Sequence, residues 1–298
     1  MIPQPDERGM RMAVTLYRVS AFPSDGNGGN EAGVVVDAEH LTEAMMKRIA
    51  ARVNYSETAF LSKSDRADFK LRYFTPTTEV PVCGHATIAA FNMMRNLGLV
   101  EPGRVTLETA AGVLDIIVEE DAVQMQLFVP TWVAPVEKAS LADALGLPDD
   151  VFSETPAEVL DSGIKEIFVG FKHLADVHRF AVETSRIEAL CEAYEAHGLY
   201  LYTLETLTAA QAHGRNFAPC LGIAEESATG TASAALATHL HRHHDAKRTH
   251  YRFEQGYAMF KPSRIDVTLT LEEGGIRDIH IGGSMRFIDK IVGFNAKD

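Results

Sequence analysis

The chain has 298 residues, 46% of them hydrophobic and 23% charged, a balance typical of a packed globular protein long enough for two domains. Its 41 acidic residues outnumber its 28 lysines and arginines, and the net charge of −13 argues against nucleic-acid or anionic-membrane partners. Three scattered cysteines argue against a disulfide framework or thiolate zinc site, and no apolar run reaches the length of about 18 residues that could span a membrane. We therefore expect a cytoplasmic location.

The first half of the chain alternates strand-like and helix-like segments. Residues 1–12 contain charges and proline but no apolar core, which predicts a loose leader and not a signal peptide. Helices are predicted at Thr42–Val53 and Ala86–Leu97. The predicted strands are Val14–Ser20, Gly33–Asp37, Glu57–Leu61, Phe69–Phe74, Arg104–Glu108, Val113–Glu119 and Ala122–Val129.

The second half has the same mixed character. The segment Pro130–Asp161 is rich in proline and aspartate and weakly patterned, which predicts a connector between the halves. Helices are expected at Ser185–His197 and Thr231–His239. Because strands and helices interleave throughout, the fold class is mixed α and β. The predicted strands here are Glu166–Val169, Arg179–Val182, Leu199–Leu204, Tyr251–Glu254 and Arg264–Leu271.

An internal repeat links the two halves. Residues 72–76 (RYFTP) and 215–219 (RNFAP) share the pattern R-x-F-x-P, and an acid follows each of them, Glu79 or Glu225. Next come a glycine turn and a small-residue helix in both halves, and later an aromatic or aliphatic residue before a glutamate. Four elements in one order and at near-equal spacing indicate duplicated units. The sequence therefore predicts two similar α/β domains that face each other across a cleft.

Each repeat places a glycine at the start of a helix, Gly84 in the first half and Gly230 in the second. The first N–H groups of a helix have no intrahelical partner, so such an end can attract a carboxylate or a phosphate. Two of them in corresponding positions predict a clamp for a small anion, with Cys83, Thr229 and Thr231 beside the glycines. The alternative is a pair of buried helix starts capped by threonine and serine.

Two further motifs allow both a functional and an ordinary structural interpretation. Residues 28–33 (GGNEAG) lead into a strand, not a helix, which rejects a dinucleotide fingerprint, but Asn30 could direct its amide at a ligand carboxylate. The histidines His239, His241, His243 and His244 invite a metal interpretation, since His239 and His243 are four residues apart. No HExxH glutamate accompanies them and basic residues follow, which favours a solvated helix terminus.

Taken together, these motifs resemble the PhzF-like family, named for a phenazine-biosynthesis isomerase, and more distantly the diaminopimelate epimerases. The resemblance covers nearly the whole chain after residue 13. The matching segments are residues 29–34 (GNEAGV), 54–60 (NYSETAF), 74–76 (FTP), 83–87 (CGHAT), 215–219 (RNFAP), 225–231 (EESATGT), 254–256 (EQG) and 282–283 (GG).

This resemblance implies an α/β (α+β) fold of two pseudo-symmetric domains, each a curled sheet around a central helix. We place the domains at residues 13–130 and 131–285, with the tail 286–298 returning to the first. The resemblance also implies an active site between the domains, no metal or organic cofactor, and a homodimer.

The resemblance assigns the catalytic acid/base to Glu57 and further catalytic roles to His85 and Glu226. Glu226 stands where the family commonly has aspartate, and Ser227 where it commonly has proline, so this wall of the pocket should differ. The distant epimerases use one cysteine from each half, but here Cys83 is matched by Thr229. Since a threonine hydroxyl is a far weaker acid than a thiol, the sequence disfavours a symmetric two-thiol racemase.

The predicted function is a cofactor-independent isomerase or epimerase that moves a proton on a small carboxylate substrate. The alternative is a non-catalytic member of the same fold that binds a small molecule or a protein. A hydrolase built on Cys83 and His85 is disfavoured because the two lie only two positions apart and no third orienting group is evident.

Overall fold

The computed structural model describes residues 13–181 and 183–295, which form eighteen strands and six α-helices. The predicted leader, residues 1–12, and the last three residues of the tail lie outside the described residues. The first half consists of β1 (Ala13–Ala21), β2 (Asn30–Val35), α1 (Glu43–Val53), β3 (Glu57–Ser62), β4 (Phe69–Phe74), β5 (Glu79–Val80), α2 (Gly84–Asn96), β6 (Gly103–Thr109), β7 (Gly112–Val118) and β8 (Val123–Leu127).

The second half repeats this succession with two additional helices. Its elements are β9 (Thr131–Val136), α3 (Lys138–Leu145), β10 (Ala157–Asp161), β11 (Lys165–Phe171), α4 (Leu174–Arg179), α5 (Thr184–Ala193), β12 (Gly198–Thr203), β13 (Ala212–Ala218), β14 (Ile223–Glu226), α6 (Gly230–His243), β15 (His250–Gln255), β16 (Ser263–Glu272), β17 (Gly275–Gly283) and β18 (Met285–Asn295).

The strand pairings show that the repeat extends to the whole topology. In the first half β1–β2 is antiparallel, β2–β3 parallel, β3–β4 antiparallel, β4–β6 parallel, and β6–β7–β8 antiparallel. In the second half β10–β11 is antiparallel, β11–β12 parallel, β12–β13 antiparallel, β13–β15 parallel, and β15–β16–β17 antiparallel. Parallel pairs need a crossover connection, and helices supply it in both halves. The predicted pseudo-symmetric α/β fold is therefore confirmed.

Two strand pairs join the two halves. β8 pairs with β17, the strand in the corresponding position of the other half. β18, at the end of the chain, leaves the second half and pairs with β1 from Ala13 to Ala21. β9, the first strand of the second half, pairs with β10 of the same half. The first half therefore receives its last strand from the far end of the chain. The division at residues 130 and 285 stays a prediction.

The central helices α2 and α6 belong to one apolar core that runs through both halves. Ten residues of α2 and nine of α6 are buried, which fits helices that are small and apolar around most of their circumference. This core contains Ile88, Phe91, Leu236 and Ile281. Two outer clusters cover the sheets, one around α1 in the first half and one around α3 and α5 in the second.

Three expectations from the sequence were wrong. Arg179–Val182 is not a strand, since Arg179 ends α4 and the next two residues are irregular (Val182 lies outside the described residues). Its apolar character arises because Phe180 packs into the second-half core. The segment Pro130–Asp161 is not a plain connector, because it contains β9, α3 and β10. Among the described strands β9 pairs with β10 alone, so β9 is an edge strand. An edge strand tolerates Pro135, which has no N–H to donate to a neighbouring strand.

The third wrong expectation concerns the histidine cluster. His239 is fully buried on α6, where its Nδ1 lies 2.6 Å from Oε1 of Glu158 on β10. It is therefore not part of a solvated helix terminus, although His244 in the same run is exposed. The long-range contact with Glu158 could not be read from the local spacing.

Candidate active site

The catalytic candidates of the first half come together where β3 begins next to the first turn of α2. Glu57 is the first residue of β3, and parallel pairing places it opposite Ala32 of β2. Cys83 is the N-cap of α2 and His85 its second residue. Nε2 of His85 lies 3.3 Å from Oε2 of Glu57 and 3.3 Å from Oγ of Ser56, while its Nδ1 lies 3.4 Å from Sγ of Cys83. The imidazole thus links the carboxylate to the thiol.

Glu57 carries an unusual carboxylate oxygen. Its Oε2 is buried, and within the described residues it has no hydrogen-bond partner, because the contact with His85 is close but does not have hydrogen-bond geometry. The Glu57 side chain retains 17% exposure and that of His85 6%, so the pair is nearly closed off from solvent. Buried polar atoms without a partner are rare and call for an explanation, since they cost stability. An oxygen in this state is available to a substrate proton.

The catalytic candidate of the second half is held in a polar network. Glu226 ends β14, and its Oε1 accepts a hydrogen bond from Nδ2 of Asn30 at 2.9 Å. Its Oε2 accepts one from Oγ1 of Thr229 at 2.6 Å. Nδ2 of Asn30 also donates to the carbonyl of Ala228. Asn30 therefore fixes the segment around Glu226 from the opposite half, and its amide hydrogens are already engaged.

Gln255, the last residue of β15, completes this network. Its Nε2 donates to the carbonyl of Glu226 at 2.8 Å and contacts Oγ1 of Thr229 at 3.1 Å. Its Oε1 accepts from the backbone N–H of Thr229 and from the hydroxyl of Tyr200. The start of α6 is thus positioned by side chains of three different elements.

Burial raises the pKa of two site residues. Burial raises the pKa of Glu226, an effect opposed by the nearby His85 and by hydrogen bonds from Thr229 and Asn30, and reinforced by the charge of Glu57. Burial also raises the pKa of the Cys83 thiol well above its usual value, and Glu57 raises it further. Glu226 and Ser56, the residue before Glu57, line the same cavity, so the candidates from the two halves lie close together.

The two helix starts are close to one another. A Cβ added at Gly84 would lie 3.0 Å from Cδ1 of Ile281, and one added at Gly230 would lie 2.3 Å from the same atom. One isoleucine of β17 therefore packs against both glycines, and a side chain at Gly230 would displace it. Thr231, the remaining candidate, is half-buried in the first turn of α6.

A cavity of about 240 Å³ adjoins the cluster. Its lining includes Asn30, Ser56 and Glu226 together with Tyr55 and Lys261. Nζ of Lys261 lies 3.2 Å from Oε2 of Glu31, which places a cation at this wall in an otherwise acidic protein. Sequence reasoning missed Ser56, Gln255 and Lys261. Ser56 and Gln255 lie inside matched motifs that could have indicated them, but no local pattern pointed to Lys261.

The donor atoms of Glu57, Cys83 and His85 lie within 4.8 Å of one another, the spacing of a metal-ligand set. A metal would need the Cys83 thiolate, and burial disfavours that form by raising the thiol pKa. The same residues suit proton transfer, because a carboxylate and an imidazole in contact can pass a proton without the thiolate.

Residues 19–286 match the family model described as phenazine biosynthesis-like protein. The chain belongs to this family. It is 33% identical to an uncharacterized isomerase, YddE, of Salmonella typhimurium, in an alignment that covers 91% of this chain and 95% of that one. It is 30% identical to the trans-2,3-dihydro-3-hydroxyanthranilate isomerase of Pseudomonas aeruginosa, with 83% and 87% of the two chains covered.

A PhzF-family crystal structure from Bacillus anthracis superimposes with a TM-score of 0.86 at 30% identity, covering 94% of this chain and 98% of that one. A hydroxyproline epimerase from Agrobacterium vitis shares only the fold, with a TM-score of 0.57 at 15% identity and coverage of 96% and 94%. The PhzF-like resemblance is thereby confirmed, and these relatives identify the protein as an isomerase. None of the described helices is long and apolar enough to cross a membrane. The homodimer and the cytoplasmic location stay predictions.

Proposed function

We propose that this PhzF-family isomerase moves a proton between two carbons of a small carboxylate substrate, with Glu57 as the single acid/base and without a cofactor. The observation that carries the proposal is the buried Oε2 of Glu57, which has no hydrogen-bond partner within the described residues and lies 3.3 Å from His85. A carboxylate oxygen without a hydrogen-bond partner can accept a substrate proton without first giving up a hydrogen bond.

The proposed step balances without an external reagent. The Glu57 carboxylate removes a proton from a carbon next to a carbonyl, carboxyl or diene group, and the electron pair of that C–H bond enters the conjugated system. The protonated Glu57 then returns the proton to another carbon on the same face of the substrate. No electrons are gained or lost, so the transfer itself requires no redox cofactor.

The remaining residues take supporting roles in this proposal. His85 contacts Glu57 and Ser56 and can hydrogen-bond the developing anion. The N–H groups that begin α2 and α6, with Lys261 at the cavity wall, can bind the substrate carboxylate. Glu226, whose pKa burial raises, can serve as a second acid.

Deuterium exchange tests the role of Glu57. The first compound to test is the trans-2,3-dihydro-3-hydroxyanthranilate named for the Pseudomonas relative, followed by small cyclic and amino-acid-like carboxylates that raise the melting temperature. We expect wild-type protein to incorporate solvent deuterium into the substrate, as followed by proton NMR. Glu57→Gln keeps the shape but removes the base, and should slow exchange by about 10²–10⁴-fold.

Glu39→Gln is the matched control, because Glu39 is exposed near the Lys63 side chain and belongs to no site described above. It should exchange at the wild-type rate. Full exchange by a folded Glu57→Gln protein would assign the base to another residue. Binding by wild-type protein with neither deuterium exchange nor conversion of the ligand would instead support the non-catalytic alternative.

A further inference from the structure

A second cluster of ligand-type side chains lies outside the candidate active site, between β10 and the last turns of α6. It consists of Glu158, His239 and His243. The two histidines are four residues apart on α6 and so project from the same face of the helix. Nδ1 of His239 lies 2.6 Å and Nε2 of His243 3.3 Å from the same oxygen, Oε1 of Glu158. Both imidazoles therefore contact the same carboxylate oxygen.

The cluster is buried on all but one side. The side chain of His239 is fully buried, that of Glu158 is 4% exposed, and that of His243 is 21% exposed. Glu158 is thus a nearly buried carboxylate, whose charge a bound cation would balance.

The surroundings of the cluster are those of a ligand set. Nε2 of His239 lies 2.8 Å from the hydroxyl of Tyr202, which can accept or donate and so satisfies either tautomer of the ring. The donor atoms of the three residues all lie within 4.8 Å of one another. Ligand atoms about 2.0–2.2 Å from a tetrahedral metal ion are about 3.3–3.6 Å apart. The 3.3 Å separation of His243 from Glu158 fits this spacing, and the 2.6 Å hydrogen bond between His239 and Glu158 would lengthen when an ion binds.

We propose that Glu158, His239 and His243 bind a divalent transition-metal ion of the Zn²⁺ type. Two imidazoles and one carboxylate suit such an ion, whereas Mg²⁺ and Ca²⁺ prefer oxygen ligands alone. His243 is the most exposed of the three residues, so a bound ion would have its open coordination position on that side. Nη1 of Arg242 lies 3.8 Å from Oε2 of Glu158 at the edge of the cluster.

The site has a consequence for the rest of the molecule. The ion would tie β10 to α6, the helix whose first turn carries Gly230 and Thr231 of the candidate active site. The spacing of these histidines in the sequence does not indicate the site, because Glu158 is 81 residues distant from His239 in the chain. Only the fold brings the third ligand to them.

Metal titration of the full-length protein tests the proposal. After treatment with a chelator and its removal, the protein is titrated with Zn²⁺ by calorimetry, and with Co²⁺ to record its visible absorption bands. We expect one equivalent to bind, with a rise in melting temperature. Removing a residue that only hydrogen-bonds to a ligand costs about 10–100-fold in metal affinity. His243→Ala and Glu158→Gln each remove a ligand itself, so each should lower the Zn²⁺ affinity by more than that.

His241→Ala is the matched control, because His241 lies on the same helix but contacts the carbonyl of Arg248 and not the cluster. The His241→Ala variant should bind Zn²⁺ with the wild-type affinity. Cys83→Ser tests the other donor set, that of the candidate active site. Loss of binding in Cys83→Ser with full binding in His243→Ala would overturn the proposal, as would wild-type uptake of less than half an equivalent. Glu158→Gln, a substitution of the same shape, keeps the test decisive if His243→Ala folds poorly.

Discussion

Glu166 shows how strongly this core perturbs a single ionisable side chain. It lies on β11 with 3% exposure, and its Oε2 has no hydrogen-bond partner within the described residues. Burial raises the pKa of Glu166 to about 7, opposed by a hydrogen bond with Asn216 and reinforced by the charge of Glu226. Near neutral pH this carboxyl is therefore divided between its protonated and ionised forms, unlike an ordinary surface glutamate.

Glu166 predicts a pH dependence of stability. Because its folded pKa lies above the unfolded value, its contribution is fully present below about pH 4.5 and is lost as the pH rises through about 7. From about pH 5 to about pH 8.5 the free energy of unfolding should fall by up to about 3 kcal/mol more in wild type than in Glu166→Gln. Urea denaturation at several pH values measures the difference.

The exposed Glu188 of α5 gives the control for this experiment. Glu188→Gln should reproduce the wild-type pH dependence. Parallel curves for wild type and Glu166→Gln would mean that the Glu166 carboxyl keeps an ordinary pKa in the folded protein.

At the scale of elements, the repeated R-x-F-x-P hairpins are held by the same pair of interactions in different surroundings. Arg72 forms two hydrogen bonds of 2.7 Å with Glu79, and its guanidinium lies over the ring of Phe74. Arg215 forms two of 2.8 and 2.9 Å with Glu225 and lies over Phe217. The acid that follows each motif in the sequence thus pairs with the motif's own arginine.

The two arginines should differ in their contribution to stability because they differ in burial. The side chains of Arg72 and Glu79 are 27% and 29% exposed, whereas those of Arg215 and Glu225 are 6% and 14% exposed. Arg215 also donates to the carbonyls of Val177 and Phe180 at the end of α4.

Arg215→Met should lower the free energy of unfolding by about 3–5 kcal/mol, since it leaves a buried carboxylate unpaired. Arg72→Met should cost about 1 kcal/mol or less, because water can solvate Glu79. Urea denaturation of both variants provides the comparison. Equal losses would show that burial does not decide the strength of the repeated pair.

At the scale of the whole molecule, the two halves are interlocked. β18, from the end of the chain, completes the sheet of the first half by pairing with β1, and β8 pairs with β17 between the halves. Since α2 and α6 also share one core, neither half has a complete set of contacts without the other. This arrangement predicts a single cooperative unfolding transition.

The single tryptophan of the chain, Trp132, makes this prediction testable, because it lies on β9 in the sheet of the second half. Leu16 is fully buried on β1 in the first half. Leu16→Ala should lower the free energy of unfolding by about 2–5 kcal/mol. The denaturation midpoint should shift equally by Trp132 fluorescence and by far-UV circular dichroism. An unshifted fluorescence midpoint would show that the halves unfold separately.

The sequence by itself determined the local architecture and the repeat. It placed the starts of α2 and α6 within two residues, because glycine turns and runs of small residues are local signals. The duplicated R-x-F-x-P motif indicated two similar halves, and the matched motifs pointed to Glu57, His85 and Glu226, which the fold brings into one cluster.

Only the tertiary structure decided which distant residues meet. Asn30 contacts Glu226 across 196 positions, and His239 contacts Glu158 across 81. The pairing of β18 with β1 of the first half, and the burial that perturbs Glu166, are equally invisible to local patterns. Periodicity reports which face of an element is apolar, whereas the partner of a buried polar group is set by how the sheets and helices pack.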